Sequence, residues 1–172
     1  MEFELPQIKH QKLFEEYKQE AYAHGELFIN GDGGCSRSES YKEWLKFDKN
    51  LRDEIDLPQG YVGGTTYFVI EDGVMVGTLN IRHALNEALR KSGGHIGYSV
   101  SVRKRRQGIA TAMLKFGIER CHEMGIWNIL VTCHKENIGS QRTIEKCGGV
   151  LEDEVIVDDK IILRFWIKGE DK

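Results

Sequence analysis

Between His95 and Gly125 the hydrophobic pattern changes period once, and that change fixes the kind of fold open to the chain. HIGYSVSV (95–102) alternates as a strand does. Ala110, Met113, Leu114, Gly117/Ile118, Cys121 and Met124 then recur every three or four residues, the apolar stripe of an amphipathic helix. Gly125 closes that helix as a left-handed cap. Strand and helix are separated only by a short basic loop, so the helix has to pack back against the sheet the strand belongs to.

The flanking sequence extends the same alternation. Leu13, Phe14, Tyr17 and Ala21 predict a helix over roughly 7–23, and the glycine-rich NGDGGCSRS (30–38) a loop. A second helix carries Tyr41, Trp44, Leu45, Asp48, Leu51 and Ile55 on one stripe, with Asp48 its single polar break and Ser40–Glu43 a capping box. TTYFVI (65–70) and VMVGTLNI (74–81) flank a turn at Glu71–Asp72–Gly73 and predict a hairpin. RHALNEALRKSGG (82–94) reads as part helix. IWNILVTC (126–133) is apolar enough for a strand buried on both faces. Asn137 caps a helix to Cys147, and VLEDEVIV (150–157) and KIILRFWIK (160–168) close the chain as a second hairpin. The order α, α, β, β, (α), β, α, β, α, β, β predicts an α/β (α+β) domain, a mixed central β-sheet with helices on both faces, spanning residues 1–172 as one unit.

Charge narrows the partners. Net charge is −3, against a dedicated nucleic-acid binder, but it is unevenly spread. Residues 1–60 hold 8 Lys/Arg against 13 Asp/Glu, and residues 61–149 hold 12 against 7, so the middle of the chain is built to meet something anionic. No apolar run reaches the ~18 residues a membrane span needs. The four cysteines lack CxxC spacing and the polar N-terminus is unlike a secretory signal, so reduced thiols and a cytoplasmic protein are expected.

The basic loop is where the chemistry lies. Arg103 to Arg106 precede Gln107–Gly108–Ile109–Ala110, at the start of the helix. A helix N-terminus presents unpaired N–H groups and a partial positive charge, and Gly108 and Ala110 let main chain approach a phosphate closely. Neighbouring guanidinium groups add charge-assisted donors. Neither a Walker loop nor a G-x-G-x-x-G fingerprint is present. The stretch does carry R-x-x-G-x-A (Arg105, Gly108, Ala110), followed after the next strand by ENIGSQRTIEKCGG. These resemble the Q/R-x-x-G-x-G/A loop and the N-x-x-S…E-K-x-G element (Asn137, Ser140, Glu145, Lys146, Gly148) of the GCN5-related N-acetyltransferase (GNAT) family, and RHALNEALRKSGGHIGYSVSV resembles a bacterial branch of predicted acetyltransferases. The resemblance covers about 65–168, with the specific motifs inside 95–149.

That resemblance implies a single GNAT-like domain with splayed parallel strands at an acetyl-CoA site. It implies main-chain pairing of Val100 and Val102 with the pantetheine arm, and N–H groups of Gln107, Gly108, Ala110 and Thr111 on the pyrophosphate, with Arg105 and Arg106 beside it. Asn137 would bond the pantetheine amide and Ser140 the same arm. The implied activity is acetyl transfer to a primary amine, of a small molecule. The alternative is a non-catalytic acyl-CoA-binding or regulatory module. It stays open because many relatives place a Tyr seven residues after the Asn, to protonate the leaving thiolate, where this chain has Ile144. An amine with a pKa near 10 must lose a proton before attack, so a base is needed. His95, His134 and, less directly, Tyr98 are placed to serve, each with a structural reading beside it. Cys133 as a covalent acyl carrier lacks a partner base, and Cys121–His122 with Cys133–His134 do not make a metal set. The acidic first 64 residues are expected on the acceptor side, where an acidic rim would favour a cationic amine. The closing hairpin leaves an edge that would allow a homodimer.

Overall fold

In the computed structural model, which describes residues 1–169, the chain runs β1 (Glu2–Glu4), α1 (Gln11–Ala23), α2 (Tyr41–Asp53), β2 (Gly64–Glu71), β3 (Val74–Arg82), β4 (Ile96–Val100), α3 (Ile109–Glu123), β5 (Asn128–His134), α4 (Ile138–Lys146), β6 (Val150–Val157) and β7 (Lys160–Lys168). Both hairpins turn on two residues with positive φ, Asp72 (51°) with Gly73 (76°) and Asp158 (48°) with Asp159 (60°). That handedness matches the twist of the strands it joins. The strands form an antiparallel sheet of order β1-β2-β3-β4 and another of order β5-β7-β6.

Alternation along β2 sends successive side chains into two separate layers. Phe68 enters a cluster with Phe14 and Tyr17 of α1 and Trp44 of α2, its ring 5.4 Å from Phe14 and 5.8 Å from Trp44. Val69 points the other way, into the larger core with Leu79, Ile96 and Met113 and Leu114 of α3. Helices therefore cover both faces of the first sheet. Ser40 caps α2 by accepting the Glu43 N–H at 3.3 Å. The helix ends at Asp53, since Glu54 adopts a left-handed conformation, and Ile55 is exposed instead of continuing the stripe.

The two sheets share the larger core, and main chain of the β4 segment reaches β5 at one residue. The His95 N–H donates to the Leu130 carbonyl at 2.7 Å, and the Leu130 N–H returns a bond to His95 Nδ1 at 3.0 Å. Beyond it β4 and β5 diverge, with α3 as the crossover that joins neighbouring strands of like direction. The single mixed sheet predicted from sequence is thus two antiparallel sheets pinned at His95–Leu130 and splayed from there.

Other elements differ from the sequence reading in detail. β1 was not anticipated. It pairs with β2 and stacks Phe3 on Phe116, ring centroids 3.9 Å apart. The first helix opens with a 3-10 turn at Ile8–His10, and the part-helix expected in 82–94 spans 87–93, of which Leu89–Gly93 is wound as a π-helix. β4 stops at Val100; the Ser101 N–H to Val76 carbonyl bond (2.9 Å) is the last rung to β3, and Val102 begins a 3-10 turn closed by Lys104 N–H on the Ser101 carbonyl (2.9 Å).

Candidate active site

The splay opens a cleft of about 610 Å³ between β4 and β5, within the range of small-ligand sites. Its wide end is the start of α3. Gly108 is the N-cap residue, with φ +84°, and the space where a Cβ would stand is empty. No side chain caps this end and no acidic residue lies in its first turn. The first intrahelical bond runs from Ala112 N–H to the Gly108 carbonyl, so the N–H groups of Ile109, Ala110 and Thr111 face the cleft without intrahelical acceptors. Arg106, also at positive φ (62°), lines the same end and forms no ion pair among the described residues. The chemistry of this donor set fits a diphosphate.

Arg105 reaches across the mouth. Its Nε donates to the Val100 carbonyl at 3.2 Å, and its guanidinium pairs with Glu26, just beyond α1. Val100 sits at the free end of β4, on the edge that faces β5. Val102 and Gln107 stand outside the cleft lining, and the Gln107 amide donates to the Arg103 carbonyl at 3.2 Å.

On the β5 side, the Asn137 side chain accepts the Ser140 N–H at 3.0 Å, capping α4 at the cleft wall. Ser140 Oγ lies 3.0 Å from the Tyr98 hydroxyl. Burial pushes the Tyr98 phenol up to about 12, with the Ser140 bond opposing, so it is a neutral hydroxyl and a poor base at neutral pH. Cys133 lines the same wall. Burial raises its thiol to about 11, which keeps it protonated and weakly nucleophilic. Ile144 is completely buried in the core and does not face the cleft.

The two histidines separate cleanly. His95 has its Nδ1 occupied by Leu130 N–H, and burial pulls its pKa down to about 4, helped by Arg90 and Arg82. It is a neutral clasp between sheets, outside the cleft lining. His134, at the end of β5, lines the cleft. Among the described residues no group of three or more His, Cys, Asp or Glu side chains is placed to hold a metal ion, and no helix is long and apolar enough to cross a membrane.

The acidic rim does not form. Of the first 64 residues only Glu26 and Asn30 line the cleft, and Glu26 is neutralised by Arg105. The other charged lining groups are Arg82, Lys104, Arg105 and Arg106. Arg82, Asn30, Glu26 and Thr132 were missed in the sequence. The one available signal was a charged residue ending the otherwise apolar VMVGTLNIR.

The sequence matches the Acetyltransferase (GNAT) family over residues 11–149. No curated protein matches it. Solved structures with the same fold include RimJ of Mycobacterium smegmatis in complex with CoA-disulfide (23% identical, TM-score 0.70, covering 96% of this chain and 80% of that one). Another is yncA, a putative acetyltransferase of Salmonella typhimurium with its cofactor acetyl-CoA (13% identical, TM-score 0.67, covering 99% and 95%). A third is a point mutant of spermidine N-acetyltransferase from Vibrio cholerae (12% identical, TM-score 0.65, covering 98% and 95%). With the family match spanning most of its length, the chain belongs to the GNAT family of acetyltransferases.

Proposed function

We propose that this protein transfers the acetyl group of acetyl-CoA to the primary amine of a small molecule. The observation that carries the reading is the uncapped N-terminus of α3, opening with Gly108 onto the wide end of a cleft between two diverging strands. Acetyl-CoA supplies an activated acyl carbon, to which the amine nitrogen bonds as the carbon–sulfur bond breaks and CoA thiolate leaves. The N–H groups of Gly108, Ala110 and Thr111 hold the pyrophosphate with Arg106, and Arg105 stands beside them. The free edge of Val100 and the Asn137 amide hold the pantetheine arm, and unpaired N–H groups along β4 receive negative charge developing on the thioester oxygen. His134 takes the amine proton, directly or through water. With Ile144 in the core, the Tyr98–Ser140 hydroxyl pair donates a hydrogen bond to the departing thiolate. Loss of either hydroxyl then lowers kcat more than cofactor affinity.

Calorimetry with acetyl-CoA, followed by thiol release over a panel of small amines, spermidine and peptide N-termini, tests the reading. Binding with rapid turnover of small amines supports it. Binding without turnover on any acceptor replaces it with an acyl-CoA-binding module, and no binding at millimolar coenzyme A removes it altogether. Turnover confined to peptide N-termini would move the acceptor from small molecules to proteins.

A further inference from the structure

Arg82, the last residue of β3, is a charge without a counter-charge at the closed end of the cleft. Its Nη1 donates to the carbonyls of Gly93 and Gly94 at 2.8 and 3.3 Å, and among the described residues no carboxylate pairs with it. Burial alone pulls its pKa down to about 10, with no anion opposing the shift. The titratable group it acts on is His95, which its positive charge helps to keep neutral. Two carbonyl bonds occupy Nη1 and leave Nε and Nη2 without a hydrogen-bond partner among the described residues, and Arg82 is one of the residues that line the cleft.

Its side of β4 is the informative part. Tyr98 faces α4, where its hydroxyl meets Ser140. Gly97 faces the opposite way, and a Cβ on Gly97 would lie 3.2–3.3 Å from the guanidinium nitrogens of Arg82. The loop after α1 covers that same face, with Gly31 against the Gly97 carbonyl and Asn30 lining the cleft. Arg82 thus sits across β4 from the Tyr98–Ser140 pair and α4, far from the α3 end.

We propose that the acceptor is an amine carrying an anionic group, a carboxylate or phosphate, and that Arg82 binds this group to position the nitrogen. This rests on the acetyl-transfer reading above. It replaces the cationic amine expected from the acidic N-terminal third, of whose carboxylates only Glu26 lines the cleft, where Arg105 pairs with it.

The test compares β-alanine, 4-aminobutyrate and O-phosphoethanolamine with β-alaninamide, 4-aminobutanamide and ethanolamine. One charge-assisted pair predicts roughly a 10- to 100-fold advantage in kcat/KM for an anionic member whose length fits, expressed in KM. Phosphate and carboxylate arms tell the two anions apart. In Arg82→Gln the advantage falls to near one, while Arg82→Lys keeps part of it. Equal use of both members by the wild type, or an advantage that survives Arg82→Gln, overturns the proposal. Should no amine turn over, the acetyl-transfer reading fails separately. Arginine Nε–H resonances of the CoA-saturated wild type, titrated with β-alanine and O-phosphoethanolamine, then decide the anion site. A saturable shift assigned to Arg82 supports it, and no shift refutes it. The same titration serves if Arg82→Gln does not fold.

Discussion

Replacing Asp48 by Asn should stabilise the protein at neutral pH, and by an amount that depends on pH in a stated way. Asp48 lies on the inner face of α2, 1% exposed, and its Oδ1 has no hydrogen-bond partner. Burial raises its carboxyl from 3.8 to about 6, partly offset by the Thr66 hydroxyl and Arg52. The folded state holds the proton more tightly than the unfolded chain. Below pH 3.8 the group is neutral in both states and costs nothing. Above pH 6 it is ionised in both, and the folded state carries the full penalty, about 3 kcal/mol by linkage. At pH 5 the same relation leaves about 1.6 kcal/mol. The advantage of Asp48→Asn over wild type should therefore shrink by about 1.3 kcal/mol between pH 7 and pH 5. Any change in packing from the amide shifts both values equally. Urea unfolding of the two proteins at pH 7, 6 and 5 reads the difference directly. A gap that stays constant across the three pH values would refute the assignment of a buried, raised carboxyl.

The other expectations concern the cleft. Gly108→Ala meets no atom within 4 Å but must hold φ +84°, so it should cost about 1 kcal/mol in thermal unfolding and leave coenzyme A binding measurable. Gly108→Glu puts a carboxylate against the phosphate and should abolish the calorimetric response. A Cβ at Gly31 would stand 2.4 Å from the Gly97 carbonyl oxygen. Gly31→Ala should then displace the loop after α1, raising acceptor KM in steady-state assays with little change in coenzyme A affinity. Ile144→Tyr, which restores the residue many relatives use, should overpack the core, lower stability by about 1–3 kcal/mol in urea unfolding and fail to raise kcat.

The parts legible in the sequence were those fixed by local chemistry. The period change across Arg103–Arg106 placed β4, α3 and the turn between them, because alternation and helical spacing are properties of adjacent residues. Ser40 and Asn137 as caps, and Gly125 beyond α3, were readable for the same reason. What escaped depends on distant pairing. β1 is three residues long and exists only because β2 offers it an edge. Val102 leaves the strand because a 3-10 turn, closed by Lys104 N–H on the Ser101 carbonyl, begins there, and an alternating sequence does not show it. Acidic composition in residues 1–60 said nothing of where those side chains point, and Arg82 became visible only once Gly97 was seen to leave room above it.

The splay itself explains why so few side chains need to be specific. A continuous sheet would pair β4 with β5 and satisfy both edges. Here one clasp at His95–Leu130 holds the strands together, and the edges beyond it are left facing a cleft. Main-chain donors and acceptors in such a position need partners, and an amide-bearing arm lying between the strands provides them as a missing strand would. In the structure Arg105 meets part of that need through its Nε at the Val100 carbonyl, while its Nη2 pairs with Glu26, so one guanidinium joins the free edge of β4 to the end of α1.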